Sequence, residues 1–241
     1  AGKHVLCEKP IGLNGAEARE MQTVAQETGR ILLEAFMYRF SPLVQRAIRV
    51  VRSGDLGELR SIHSSFHFRI ADDPTNVRLQ RATGGGAMYD VGCYCINVQR
   101  MIGGAEPNSS LAKLTWSDRY HVDMAAAATL SFGDGLLGTF NTGFDGPGDT
   151  YFRAVGTEGR MELPDGFLGR GEQARIVVTT GTCRQETTVT LADAYGLELQ
   201  DMSEAIRGLH APLFAAEPLD ATMRVIDACY ASDKSGSQVQ V

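Results

Sequence analysis

The chain has 241 residues, 43% hydrophobic and 22% charged, with a formal net charge of −6 and a mean hydropathy of −0.13. That length can bury a sizeable core as one large domain or two small ones. The acidic balance argues against a nucleic-acid surface, which needs clustered base, and no apolar run approaches the roughly 20 residues of a spanning helix, so no membrane partner is expected. The N-terminus meets Glu8 and Lys9 too early for a signal peptide. Five cysteines (Cys7, Cys93, Cys95, Cys183, Cys229) are odd in number and form no C-x-x-C. They read as reduced, mostly buried thiols of a cytoplasmic protein, with no metal site.

Residues 4–7 are a short apolar run closed by Glu8-Lys9-Pro10, the pattern of a buried strand entering a sharp turn. Asn14 is placed to cap a helix over 16–27 that Gly29 closes, and 31–36 reads as a second buried strand. Strand, helix, strand is the tail of a parallel α/β layer. Ser41 is placed to cap a further helix through Leu43, Ile48 and Val51, ending at Gly54. From Glu58 the pattern changes. Residues 59–68 alternate, with Ile62, Ser64, Phe66 and Phe68 on one side, as in a half-buried strand. A polar loop at 72–83 precedes Gly84-Gly85-Gly86, which opens a helix to about Ile102, closed by Gly103-Gly104. Strand-like runs follow at 111–117, 124–132, 136–142, 151–156, 160–163, 175–179 and 186–191, separated by turns such as Gly133-Asp134-Gly135. Helices are expected at 197–209 and 220–232. The predicted fold is α+β: a large, mainly antiparallel open sheet with helices on one face, preceded by the strand–helix–strand piece. The other sheet face is expected to be a wide apolar patch, buried against a second copy in a homodimer or higher homo-oligomer.

Two places are chemically unusual. Glu8-Lys9-Pro10 puts one of only four lysines in the chain at the carboxyl end of an α/β strand, where such folds bind ligands, and an X-Pro bond there can be cis. The alternative is a surface Glu-Lys before a turn proline. The second place reads GGGAMYDVGCYCINVQRMIG from Gly84. Its glycines allow close backbone approach at a helix start, where free N–H groups favour polar or anionic ligands. Asp90 and Tyr94 stand at i and i+4 on one helix face, and Gly92 between them costs roughly 1 kcal/mol against alanine. The alternative is a core tyrosine beside a solvated aspartate.

Together these stretches resemble the glucose–fructose oxidoreductase / inositol dehydrogenase / rhizopine catabolism (Gfo/Idh/MocA) family. AGKHVLCEKP is similar to its strand-plus-EKP motif, and GGGAMYDVGCYCIN to its second, glycine-led motif. EAFMYRFSP (residues 34–42) and the closing DATMRVIDACYASDKSG also resemble family stretches. The resemblance implies hydride transfer between NAD or NADP and a carbinol carbon of a sugar, polyol or cyclic diol. It makes Lys9, Asp90 and Tyr94 the catalytic residues, with tyrosine at 94 as in the sugar and dihydrodiol dehydrogenase branch. Lys9 would lower the Tyr94 pKa towards neutrality so that the phenolate takes the substrate proton. Glu8, Lys9, Pro10 and Arg39 would contact the cofactor, and Asp90, Tyr94 and His67 the substrate. A plain surface arginine and a satisfied strand histidine stand as the other readings of Arg39 and His67.

The family's early βαβ unit with G-x-G-x-x-G is not found, since Gly84–Gly86 has the wrong spacing and Gly103-Gly104 ends a helix. Residues 1–36 are therefore expected to be the last part of a Rossmann domain, lacking most of the adenine and pyrophosphate site, and 37–241 the substrate, catalytic and dimerisation domain. Two other functions stay open: a non-catalytic dimerisation scaffold, and a relative that uses bound NAD to cleave glycosides.

Overall fold

The computed structural model describes residues 1–169 and 171–241. Strand β1 (Val5–Glu8) and β2 (Leu32–Ala35) pair in parallel, joined by α1 (Gly15–Glu27). The sequence explains this crossover. Asn14 Oδ1 accepts from the Glu17 amide at 2.9 Å, and Glu17 Oε2 reaches back to the Leu13 amide at 2.9 Å, a reciprocal cap. Gly29, at φ 62°, turns the chain out of the helix. Ser41 does not cap α2 (Pro42–Arg52): its side chain makes no capping bond, and Pro42 begins the helix, where a missing N–H costs nothing.

Among the described residues, nine strands form the second sheet. They are β3 (Leu59–Arg69), β4 (Ser109–Trp116), β5 (Asp123–Ser131), β6 (Leu137–Gly143), β7 (Asp145–Gly156), β8 (Gly159–Leu163), β9 (Gln173–Thr180), β10 (Cys183–Thr190) and β11 (Val239–Gln240). Their spatial order is β10-β9-β8-β7-β3-β6-β5-β4-β11, and the β3–β6 pair alone is parallel. Strand β11 extends the sheet at its edge and was not expected. Where it ends, Ser232 Oγ and Asp233 Oδ1 of α5 (Ala221–Ser235) accept from the free edge amides of Ala112 and Leu114.

One sheet face carries α2, α3 (Cys93–Gly103) and α5. Alternation along β3 puts Ile62 and Ser64 under α3, and Ser64 Oγ donates to the Cys95 carbonyl at 3.1 Å. The core is continuous from Ile11 and Phe36, just beyond the first sheet's strands, to Phe140 and Phe152 in the second sheet and Phe167 in the loop after β8. The opposite face is not the apolar patch expected. It carries Thr139, Asn141, Tyr151, Arg153, Glu162 and Arg175, with Leu111 and Leu137 as isolated half-exposed apolar residues. The same period of two that buried one side of each strand gave the other side its Thr, Arg and Glu residues.

The segment after Gly86 also departs from expectation. A π turn over Met88–Gly92 leads into α3, in place of one uninterrupted α-helix. Gly92 sits in that turn, where a Cβ would meet Met88 Sδ at 2.9 Å, so packing against its own wide turn explains the glycine.

Candidate active site

The β1 strand delivers Glu8, Lys9 and Pro10 to a cleft of about 340 Å³ whose far wall carries Arg78, Tyr89 and Asp90. The Lys9–Pro10 peptide bond is cis. Lys9 Nζ lies 3.0 Å from Asp90 Oδ1 and donates to the Asp90 main-chain carbonyl at 2.6 Å. The same ammonium sits 4.8 Å from the centroid of the Tyr94 ring. A π turn interrupts the regular helical ladder and often marks a functional site, and here one residue of that turn offers Lys9 both carboxylate and carbonyl. Lys9, Asp90 and Tyr94, 85 residues apart in sequence at the extremes, are thus brought to one point.

The electrostatics follow from partners. Burial opposes the Lys9 charge, but the Cys93 thiol and the Asp90 carboxylate outweigh it and hold the ammonium above its ordinary pKa, with Arg78 pulling the other way. Lys9 therefore stays charged. Arg78 Nε donates to Asp90 Oδ2 at 2.7 Å, so one carboxylate serves two cations. Tyr94 packs edge-on against Phe36 and Phe66, at ring distances of 5.2 and 5.6 Å. Its hydroxyl makes no hydrogen bond among the described residues. Burial first, then the neighbouring Cys93, Tyr195, Asp90 and Glu8, push its pKa well above the ordinary phenol value. The expected lowering by Lys9 is not the arrangement found: the ammonium faces the ring and is neutralised by Asp90.

Three other expectations need correction. The glycine run offers no free amides. Gly84, Gly85 and Gly86 donate to the carbonyls of Arg81, Gln80 and Arg78, and the Met88 amide donates to Asp123. Gly86, at φ 124°, packs so closely on Asp123 that a Cβ would collide with the carboxylate. Arg39 is neither a surface arginine nor a cleft residue. It is buried, with Nε on Asn97 Oδ1 at 3.0 Å, a terminal nitrogen 3.2 Å from Glu217, and its guanidinium over Phe36 and Phe214. His67 faces the uncovered side of the sheet, where its Nε2 meets Asn141 Oδ1 at 2.5 Å. It shares that side with His63 and Ser65, while the alternate residue Phe66 packs on Tyr94. Glu8 is exposed at the mouth of the cleft.

Two residues of the site were not foreseen. Arg78 lay in a polar loop, its only signal being a basic residue shortly before the glycine run. Asp123 opens β5, buried, accepting from the Met88 amide and from the Tyr230 hydroxyl, both at 2.6 Å. Burial raises its pKa against these hydrogen bonds. It ties the start of the π turn to α5, and nothing in its local sequence announces that.

Cys93, Cys95 and Cys229 are buried as expected, Cys7 is half-buried, Cys183 is exposed, and all five are free thiols.

Comparison with known proteins identifies the family. A family model described as the GFO/IDH/MocA C-terminal domain matches residues 44–162. Another, described as an oxidoreductase family with an NAD-binding Rossmann fold, matches residues 1–36. D-xylose 1-dehydrogenase (NADP(+)) 2 of Haloferax volcanii is 33% identical over 100% of this chain and 74% of its own length. Trans-1,2-dihydrobenzene-1,2-diol dehydrogenase of Sus scrofa is 33% identical over 68% of this chain, which spans about half (49%) of that enzyme. The crystal structure of aldose-aldose oxidoreductase from Caulobacter crescentus, complexed with glycerol, superposes with a TM-score of 0.91 at 27% identity, over 100% of this chain and 72% of that one. The chain belongs to the Gfo/Idh/MocA family of NAD(P)-dependent oxidoreductases.

Proposed function

We propose that Lys9, Asp90 and Tyr94 form the catalytic end of a dehydrogenase acting on a carbinol carbon of a sugar, polyol or cyclic diol. The observation that carries this reading is the Lys9 ammonium held between the Asp90 carboxylate and the face of Tyr94, at the edge of an open cleft. An ammonium has three donors. Two are committed to Asp90, which leaves one for a ribose hydroxyl or the reacting oxygen, so the donor set fits the nicotinamide end of a dinucleotide. Residues 1–36 supply that end through Glu8, Lys9 and Pro10, and residues 37–241 supply the substrate side.

When bound, the nicotinamide accepts or returns the hydride. The chain's own residues handle the proton and the orientation. Lys9 donates to the substrate oxygen and fixes its distance from Tyr94. Asp90 keeps Lys9 charged and in place, and Arg78 holds Asp90 from the other side. Tyr94 gives its phenolic proton to the oxygen in the reductive direction and takes it back in the oxidative one. Because burial holds the phenol protonated, the site at neutral pH is poised as an acid, and oxidation should accelerate as pH rises.

The substrate class follows from the relatives. One is a xylose dehydrogenase, one a dihydrodiol dehydrogenase and one an aldose-aldose oxidoreductase. Two copies are proposed to meet through the uncovered sheet face, and five unpaired thiols suit a reducing, cytoplasmic setting. The test is reduction of NAD or NADP by D-xylose and by a trans-dihydrodiol, with light scattering for the assembly. Absence of turnover with every aldose, polyol and diol under both coenzymes, in a protein in which residues 1–36 are joined to a complete dinucleotide-binding unit, would overturn the proposal. A monomer at micromolar concentration would remove the dimer.

A further inference from the structure

Beside the catalytic cleft, on the other side of Tyr89, runs a groove of about 500 Å³. The two share Leu13, Gly84 and Tyr89 as a common wall. Three aromatic rings line the groove in a row. Tyr89 and Tyr230 lie 5.5 Å apart at 33°, and Tyr230 and Trp116 lie 5.9 Å apart at 42°. Trp116 is 48% exposed, large for an indole that has a fixed partner.

The polar atom of each ring is tied to the fold. Tyr89 Oη donates to the Leu13 carbonyl at 2.6 Å, Tyr230 Oη to Asp123 at 2.6 Å, and Trp116 Nε1 to Asp233 Oδ2 at 2.9 Å. The rings therefore cannot turn their polar edges to the groove and offer it only rigid faces. Hydrogen-bonding capacity comes instead from the rim. Arg81, His121 and Lys234 line the groove, and their side chains make no hydrogen bond or ion pair among the described residues. His121 is held there by a turn in which its φ is 55°, a conformation that few non-glycine residues adopt.

We propose that this groove binds a second saccharide ring, the non-reacting part of a glycoside or oligosaccharide whose oxidised ring occupies the Lys9 cleft. A pyranose has an apolar C–H face and an equatorial fringe of hydroxyls. A fixed aromatic row with a donor-rich rim suits that division, and placement next to the cleft gives the ring a covalent route to the reacting sugar. The inference rests on the sugar reading of the cleft and extends it to larger substrates. Asp123 links the two sites physically, since the carboxylate that receives Tyr230 also receives the Met88 amide at the start of the π turn.

Trp116 is the sole tryptophan of the chain, so its emission reports on the groove alone. Xylobiose titrated into the protein should shift that emission, with a dissociation constant about tenfold or more below that for xylose. Trp116→Ala, checked for folding by circular dichroism, should weaken xylobiose binding about tenfold by calorimetry and leave xylose binding unchanged. No response to xylobiose, or an equal response to xylose, would overturn the proposal. Turnover of xylose without a xylobiose response removes the groove and keeps the dehydrogenase. A xylobiose response without turnover removes the dehydrogenase and keeps the groove.

Discussion

Lys9 and Arg39 are both basic residues set among carboxylates, yet the two regions use charge in opposite ways. Around Arg39 most of the charges close on one another, although Glu198, buried against the same space, has one carboxylate oxygen without a hydrogen-bond partner among the described residues. Asn97, Glu217 and two aromatic rings take up its guanidinium. Arg100 is held by both oxygens of Glu106 and by Thr222, and Glu34 accepts the Ile11 amide. The space left between them, about 20 Å³, has room for one water. At Lys9 the charges stay open to a cleft, and one donor of the ammonium and the Tyr94 hydroxyl are left for something else. A charged group whose partners all belong to the fold holds the fold together; one with capacity left over can act on a ligand.

The sharpest way to test that contrast is at Tyr94. Tyr94→Phe keeps the ring packing and removes the proton, so kcat should fall by about 10²–10⁴ while thermal stability barely changes. In the parent enzyme the oxidation rate should still be climbing at about pH 10, the ordinary tyrosine value, because burial holds this phenol above it. A plateau near neutrality, or near-normal turnover in the variant, would sink the assignment.

A crossed pair of substitutions comes next in size. Arg39→Met should cost about 1–3 kcal/mol in urea unfolding, since it removes a charge-assisted hydrogen bond to buried Asn97 and the pairing of half-buried Glu217, and should leave kcat per folded molecule close to normal. Lys9→Met should do the reverse. Asp90 keeps Arg78, so stability should change little, while turnover drops and substrate binding weakens. Because Lys9 does not lower the Tyr94 pKa, the pH profile for oxidation should keep its shape. If the two variants exchanged phenotypes, the distinction between the regions would fail.

A smaller effect probes the closed region alone. Burial raises Glu34 from 4.5 to about 6 against the pull of Arg39 and the Ile11 amide. The folded protein therefore binds this proton more tightly than the unfolded one. Its contribution is fully present below 4.5 and is lost as pH rises through about 6. Glu34→Gln should be more stable than the parent by ~2 kcal/mol at about pH 8, and no more stable at about pH 4. Denaturant midpoints at the two pH values decide it, and a constant difference would rule out the titration. The smallest change belongs to His67. It lies across the sheet from the cleft, so His67→Leu should leave kcat/KM within about twofold.

Much of the local structure was legible because its causes are local. The Asn14 cap, the alternation of Ile62 and Ser64 and the glycine stops depend on residues within a turn or two. Boundaries shifted where a neighbour decided them: Ser41 lost its capping role to Pro42, and β11 exists because β4 has a free edge to fill. In the candidate site, Lys9, Asp90 and Tyr94 stood out by motif. Arg78 and Asp123 did not, because an arginine in a polar loop and an aspartate opening a strand look like many others.

By itself, then, the sequence determined the α+β alternation and the family and pointed to three residues of the candidate site, since periodicity and motif spacing survive in one dimension. Only the tertiary structure decided what those residues face. A strand's period of two sent His67 to the far side of the sheet and Phe66 to Tyr94, and packing sealed Arg39 among Asn97 and Glu217. The π turn set Asp90 to receive Lys9 twice, and burial left Tyr94 holding its proton. Charge and pKa depend on desolvation and on distances between segments up to 85 residues apart, and those quantities exist only once the chain has closed on itself.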